Sequence, residues 1–247
     1  MLPLADNLPR KGFTPVTWGL VAVNVVVFLW LASLGPREVE RAFAEFGVVP
    51  ARFHAAWPWS RGPFGIAALP LLTSQFLHAG WVHAFGNLWM LAILGRGVER
   101  RMGSARFLVF YLLTGALSGA AHVWSSPGST VPAVGASGAI AGVMGAYVAL
   151  FPRAKLVLLV PIFVFPLLVP VSAVVGILVW FYVQLFNGAL ALADPVAGGG
   201  VAWWAHVGGF VAGLLLVVFF TPPSRRKPRV AYEVWDPGRR RWRSIDL

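Results

Sequence analysis

Six long apolar segments constrain this chain more than any other feature of its sequence. The hydrocarbon core of a bilayer is about 30 Å thick, and a helix of about 20 apolar residues crosses it. Because lipid offers no hydrogen-bond partners, backbone exposed to it must be helical or part of a closed barrel. The predicted spans are residues 16–34, 80–97, 105–124, 136–151, 171–189 and 202–220. The sequence therefore predicts an all-α membrane protein, built as a bundle of six transmembrane helices.

The composition agrees with a protein that crosses the bilayer several times. Hydrophobic residues make up 58% of the chain and charged residues only 12%, whereas a soluble domain carries about 25% charged residues. The chain has no cysteine, which excludes disulfides and thiolate metal sites. We expect one membrane domain at 16–220, a short segment 1–15 before it and a basic tail at 221–247 after it.

The placement of the basic residues predicts the orientation. If the N-terminus is cytoplasmic, sixteen of the twenty Lys and Arg residues lie on the cytoplasmic side, and eight of these are in the tail. Membrane insertion favours this distribution. The net charge of +11 therefore indicates a multi-pass plasma-membrane protein with both termini cytoplasmic, and nucleic acid is not an expected partner. Six tryptophans are expected near the outer boundary: Trp57, Trp59, Trp81, Trp124, Trp203 and Trp204.

The segment 156–170 is apolar but carries Pro161, Pro166 and Pro170. Proline removes a backbone donor and breaks a helix, so a regular span is not expected here. A seventh span would also move the basic tail to the outer side, against the favoured charge distribution. We interpret 156–170 as a re-entrant or interfacial stretch.

Three candidate reactive residues, His83, Ser137 and His206, lie near the starts of predicted spans two, four and six. These spans all run from the outside to the inside, so the three side chains are expected in the outer half of the membrane. The fourth span has about 15 residues and covers only roughly 22 Å, which sets Ser137 below the outer surface. Ser137 would then begin a buried helix, beside backbone N–H groups that have no helical acceptor.

Stripes of small residues predict that spans four and six pack closely. The stripes are Gly138, Gly142 and Ala146 in span four, and Ala205, Gly209 and Gly213 in span six. Such packing would bring Ser137 Oγ within hydrogen-bond reach of His206, whose neutral imidazole takes the serine proton during attack on a carbonyl. His83 and Asn87 share one face of span two, and both can donate hydrogen bonds to an oxyanion.

The same residues also fit a purely structural role. The glycines then serve packing alone, Ser137 caps its helix, and His83 and Asn87 form a polar contact between helices. No acidic residue lies clearly within a span near His206, so the sequence supports a Ser–His dyad and no triad. A zinc site would draw on His78, His83, His122 and His206. Because nearby carboxylates and a His-Glu-x-x-His pattern are missing from the sequence, we expect no metal.

Four motifs occur in order on the predicted spans. They are Thr73-Ser74-Gln75-Phe76-Leu77-His78 followed by His83 and Asn87; Val98-Glu99-Arg100-Arg101-Met102-Gly103; Gly135-Ala136-Ser137-Gly138; and Ala205-His206 with Gly209 and Gly213. Together they resemble the signatures of the rhomboid family of intramembrane serine proteases, over roughly residues 40–215.

The resemblance implies a rhomboid-like bundle of six helices with a short fourth helix and a long first outer loop. It implies that Ser137 is the nucleophile and His206 the general base. His83, Asn87 and the Ser137 backbone N–H would form the oxyanion hole. The implied substrates are transmembrane segments of other membrane proteins, cut near the outer leaflet without a cofactor.

Two positions depart from the family pattern. Leu69-Pro70 stands where the family often has Trp-Arg, which bears on the shape of the first outer loop. Ala141 stands where a Tyr or Phe commonly stacks on the histidine, so another group must hold the His206 ring.

Two other functions compete with an endopeptidase. A non-catalytic rhomboid-like protein would bind membrane clients without cutting them, and its usual mark is loss of the serine or the histidine. Both residues are present here. A transporter or channel would show broken helices in two repeated halves, and the sequence has no such repeat.

Overall fold

The structure, a computed structural model, describes residues 2–9, 12–56, 64–162, 165–193, 201–223, 231–236 and 241–246. These residues are mostly helical, as the sequence predicts. Several positions used in the sequence argument lie outside the described residues: Arg10, Lys11, Trp57, Trp59 and the tail positions 224–230, 237–240 and 247.

The described residues form ten α-helices and five strands. The helices are α1 (Pro15–Ala32), α2 (Pro36–Phe46), α3 (Pro50–Ala56), α4 (Phe64–Thr73), α5 (Trp81–Met90), α6 (Arg96–Met102), α7 (Ser104–Ser125), α8 (Ser137–Leu150), α9 (Ala173–Ala193) and α10 (Trp203–Phe220). The strands are β1 (Leu2–Asp6), β2 (Lys155–Ile162), β3 (Phe165–Ser172), β4 (Ala231–Asp236) and β5 (Arg241–Asp246). The predicted first outer loop therefore contains the helices α2, α3 and α4.

Four of these helices, α1, α7, α9 and α10, are long and apolar enough to cross a membrane. The helix α5 continues into α6 through a π-helical turn at Leu91–Gly95, and residues 81–102 together measure about 33 Å at 1.5 Å per residue. The helix α8 has only 14 residues, or about 21 Å. The prediction of a short fourth helix is therefore confirmed.

The long helices expose apolar side chains, as lipid-facing helices do. Examples are Trp30 of α1, Val109 of α7, Phe186 of α9 and Phe219 of α10. A soluble protein rarely leaves apolar patches of this extent in water, so this surface fits a protein that crosses the bilayer several times.

Two of the predicted boundary tryptophans are exposed, and two are not. Trp81 and Trp124 are 67% and 81% exposed, which fits a position at the edge of the membrane. Trp204 is partly buried, and its indole N–H donates to the Gly188 carbonyl at 3.1 Å. Trp203 is also partly buried, and its ring lies edge-on to the imidazole of His206. The last two residues thus pack within the bundle.

The helix α8 is the centre of the bundle. Every residue from Gly138 to Tyr147 is buried, with α7, α9, α10 and the π-helical turn packed around them. On the side of α10, the Cα of Gly209 faces the Gly138 carbonyl and the Cα of Gly213 faces the Gly142 carbonyl. A Cβ at either position on α10 would overlap backbone atoms of α8. The predicted close packing of the fourth and sixth spans is confirmed.

A buried carboxylate, that of Glu99, ties α1, α6 and α7 together at one end of the bundle. It accepts hydrogen bonds from the Val16 N–H at 3.1 Å, and from the Thr17 N–H, the Thr17 hydroxyl and the Ser104 hydroxyl at 2.7 Å each. The first N–H groups of a helix have no helical acceptor, so the carboxylate caps the start of α1. A negative charge there also interacts favourably with the helix dipole.

The expectation of an all-α fold is wrong for the segment 156–170. This segment forms an antiparallel hairpin of β2 and β3, and β1 adds a third strand in the order β1-β2-β3. Its re-entrant or interfacial position in the membrane stays a prediction. The tail also contains a hairpin, of β4 and β5.

The prolines of the hairpin sit where a strand tolerates them. Pro166 and Pro170 lie on β3, an edge strand. Pro161 lies beyond Leu159, where the pairing of β2 with β1 ends. At each of these positions the proline nitrogen can face away from the neighbouring strand, so no hydrogen bond of the ladder is lost. The argument from proline against a regular helix is confirmed, and the extended alternative was missed because its third strand comes from the N-terminus.

We predict that Gly213→Ala destabilises the bundle, because the added methyl group would overlap the Gly142 carbonyl and push α10 away from α8. Overpacking costs about 1–3 kcal/mol, which lowers the Tm of a chain of this size by roughly 2–12 °C. The measurement is thermal unfolding in detergent. The control is Gly176→Ala on α9, where a Cβ meets no atom within 4 Å. Equal Tm values for the two variants would contradict the packing argument.

Candidate functional site

Ser137 stands at the head of the buried helix α8. It is the first residue of that helix, so no helical carbonyl accepts a hydrogen bond from its backbone N–H. The irregular segment before it is fixed at two points. The Gly135 N–H donates to the Ser74 carbonyl at 2.8 Å, and Val48 and Ala133 form an antiparallel bridge. The Ser137 hydroxyl therefore has a defined position at the end of a rigid element.

His206 lies in the first turn of α10 and contacts Ser137 directly. The His206 Nε2 atom is 2.8 Å from Ser137 Oγ, although the two residues are 69 positions apart. The helix packing explains the contact, since Ser137 precedes Gly138 and His206 lies one turn before Gly209, where the two backbones meet. The structure brings this predicted pair together, while the roles of nucleophile and base remain predictions.

His83 lies against the backbone just before Ser137. Gly135 has φ +132°, a conformation that side chains rarely adopt and glycine allows. A Cβ at this position would lie 2.8 Å from both Cε1 and Nε2 of His83, and 3.6 Å from Ser137 Oγ. The imidazole edge of His83 therefore faces the same small volume as the serine hydroxyl, as an oxyanion donor must.

Asn87 follows His83 by one turn of α5 and offers an unused donor. Among the described residues, its buried side-chain nitrogen has no hydrogen-bond partner. Buried donors are nearly always paired, so this amide is available to an acceptor that enters the site. His78 is also buried, and its ring packs edge-on to that of His83 with centroids 5.2 Å apart.

Gln184 of α9 is a member of the site that the sequence reasoning missed. Its Oε1 atom is 2.8 Å from His206 Nδ1, on the side of the imidazole opposite Ser137. Its amide nitrogen donates to the Trp180 carbonyl at 3.2 Å, and the residue is 4% exposed. The available signal was a pair of amides, Gln184 and Asn187, within an apolar span, where polar side chains usually hydrogen-bond across helices.

Two tryptophans flank the imidazole in place of the residue that the family pattern puts four positions after the serine. The Trp180 ring lies 5.8 Å from the His206 ring at 37°, and the Trp203 ring lies 6.4 Å from it at 90°. Ala141 is fully buried within α8. The structure thus supplies two aromatic neighbours for His206 from α9 and α10.

A cavity of about 670 Å³ opens between the end of α7, the following loop, the end of α9 and the residues just before α10. His122, Ser125, Ser129 and Ala202 are among its lining residues, whereas Ser137 and His206 are not. Within the described parts of the chain, no group of three or more His, Cys, Asp or Glu side chains is arranged to hold a metal ion.

The model of the rhomboid domain family matches residues 67–223. The chain is 34% identical over 146 residues to "Rhomboid protease GluP" of Bacillus subtilis (strain 168). The matched stretch covers 58% of this chain and 26% of that protein. It is 27% identical over 229 residues to "Rhomboid protease GlpG" of Salmonella typhi. Here the matched stretch covers 91% of this chain and 69% of that protein. The chain thus spans about a quarter of the first relative and about two thirds of the second.

Proposed function

Because the chain belongs to the rhomboid family, we propose that it is an intramembrane serine endopeptidase that cuts transmembrane segments of other proteins. The hydrogen bond of 2.8 Å between Ser137 Oγ and His206 Nε2 is the observation that carries the proposal. It joins a hydroxyl at the head of a buried helix to an imidazole, and this pair can perform nucleophilic catalysis without a metal or a cofactor.

The first half of the reaction forms an acyl-enzyme. Ser137 Oγ attacks the carbonyl carbon of the scissile peptide bond while His206 Nε2 takes the hydroxyl proton. The carbonyl oxygen becomes an oxyanion, which accepts hydrogen bonds from the Ser137 N–H, His83 and the Asn87 amide. When the tetrahedral intermediate collapses, the C–N bond breaks and His206 returns the proton to the leaving amine.

The second half of the reaction uses water. His206 takes a proton from a water molecule as its oxygen attacks the acyl carbon, and the bond to Ser137 Oγ then breaks as the proton returns to that oxygen. The cavity lined by His122, Ser125 and Ser129 is the proposed entry for this water, because these side chains offer it hydrogen-bond partners. The unpaired Asn87 donor supports a site built to receive an oxygen atom.

The proposed substrate is an extended stretch of a transmembrane segment. A helical segment hides its carbonyls in its own hydrogen bonds, so a segment with helix-breaking residues opens more readily to Ser137. We further propose that the chain crosses the membrane six times, that both termini are cytoplasmic, and that the site lies in the outer half. The distribution of the basic residues supports this orientation.

We predict that the purified wild-type protein cleaves a single-span reporter. Ser137→Ala and His206→Ala should each abolish this cleavage, because each removes a reacting group. The matched control is Ser33→Ala, which changes an exposed serine after α1 and should cleave at the wild-type rate. The measurement is appearance of the two product fragments on a gel, with thermal unfolding to establish that all variants fold.

Unchanged cleavage by Ser137→Ala would end the protease proposal. Equal inactivity of the wild type and both variants on several reporters would instead favour the alternative function, a protein that binds membrane clients without cutting them.

We predict that His83→Ala and Asn87→Ala each lower kcat by about tenfold to a thousandfold, the usual cost of losing one oxyanion donor. KM should change little, since these donors act on charge that develops in the transition state. Asn187→Ala on α9 is the control, because among the described residues the Asn187 amide donates to the Val183 carbonyl of its own helix and lies outside the proposed site. Full rates in both site variants would reject the oxyanion assignment.

The absence of cysteine allows a direct test of orientation. We predict that a membrane-impermeant maleimide labels Ser33→Cys in intact cells, because Ser33 follows the first span, whereas Ser244→Cys in the tail reacts only after the membrane is opened. The wild-type chain provides the background. Labelling of Ser244→Cys in intact cells would place the tail outside and contradict the proposed topology.

A further inference from the structure

We infer that Gln184 is the positioning residue of this site, and that it holds His206 in the tautomer and orientation that the serine requires. The inference deepens the proposed function and rests on it. The sequence supports only a serine and a histidine, whereas the structure adds a neutral third member: Ser137, His206 and Gln184 form one hydrogen-bonded chain across α8, α10 and α9.

The roles along this chain follow from the chemistry of imidazole. A neutral imidazole carries one N–H donor and one acceptor nitrogen. If His206 is to take the proton of the Ser137 hydroxyl, its Nε2 must be the acceptor, and Nδ1 must then carry the hydrogen. A group that faces Nδ1 must therefore accept, and the Gln184 Oε1 atom at 2.8 Å is an acceptor in the required place.

The orientation of the Gln184 amide is fixed by a second contact. The oxygen and nitrogen of an amide are assigned from their partners. The amide nitrogen donates to the Trp180 carbonyl at 3.2 Å, and a carbonyl can only accept. With its nitrogen held in this way, the amide presents oxygen to His206. Because Gln184 is 4% exposed, water does not compete strongly for either group.

A neutral amide suits the membrane better than the carboxylate found in many serine hydrolase triads. A buried carboxylate costs several kcal/mol unless it is fully paired, and an ionisable group within a span is costly as well. The Gln184 amide provides an acceptor without a charge. It also helps to explain how the site functions with Ala141, because the hydrogen bond and the rings of Trp180 and Trp203 restrict the imidazole together.

Two substitutions of similar size separate positioning from packing. Gln184→Met fills the space but removes the acceptor, so we expect kcat to fall by about tenfold to a hundredfold with KM little changed. Gln184→Glu keeps an acceptor oxygen toward Nδ1, so we expect it to retain more activity than Gln184→Met, even if its Tm is lower. A purely structural role predicts the reverse order, because the apolar side chain is cheaper to bury than the carboxylate.

The control for this comparison is Asn187→Leu. It removes an amide one turn further along α9, which among the described residues donates to the Val183 carbonyl of the same helix. It should leave kcat unchanged. Wild-type kcat in Gln184→Met, or lower activity in Gln184→Glu than in Gln184→Met, would overturn the positioning role.

A second measurement does not depend on cleavage. Nitrogen-15 NMR of histidine-labelled protein distinguishes a protonated ring nitrogen from a bare one, and the His206→Ala variant identifies the His206 signals among the five histidines. We expect Nδ1 to carry the hydrogen in the wild type and the two tautomers to mix in Gln184→Met. A bare Nδ1 in the wild type would refute the inference. If the tautomer is as expected but the protein cuts no reporter, the proposed function fails while the contact itself stands.

Discussion

The close contact between the backbones of α8 and α10 determines the geometry of the candidate site. Gly209 and Gly213 of α10 lie directly on the carbonyls of Gly138 and Gly142, and the serine and the histidine sit at the ends of the same two helices. A hydrogen bond of 2.8 Å weakens quickly as its atoms separate, and it is lost beyond about 3.5 Å. A single methyl group between the helices is therefore enough to separate the pair, which explains why small residues are needed so far along both helices.

Charged and neutral polar groups occupy different parts of the bundle. The buried carboxylate of Glu99 lies where α1 begins and α6 ends, and three helices donate to it or pack around it. Around His206 the direct hydrogen-bond partners are a hydroxyl and an amide. Because a lipid environment makes an unpaired charge costly, catalytic chemistry there is best served by neutral groups that are fixed in advance. One turn after His83 on α5, the Asn87 amide is a buried donor without a partner among the described residues, and such a donor is available to an oxygen that enters the site.

Much of this arrangement was predictable, because it depends on local pattern. Span lengths follow from apolar runs, the contact of α8 with α10 follows from glycine at every fourth position, and the Ser–His contact follows from both. Gln184 was not predictable as the partner of His206, since α9 carries two amides, Gln184 and Asn187, and no local pattern shows which of them contacts another helix. The hairpin of β2 and β3 was missed for a related reason. Its prolines excluded a helix, but the strand that completes the sheet comes from residues 2–6, which nothing local connects to it.

The central claim is that Ser137 is activated by His206 within the membrane-embedded bundle. Reaction of the folded protein with a fluorophosphonate tests it directly. Such a probe phosphonylates a serine, with loss of fluoride, only when a base activates the hydroxyl. The account predicts one adduct per chain in the intact mass, mapped by peptide sequencing to Ser137. No adduct on folded protein, or an adduct on a different serine, would contradict the claim.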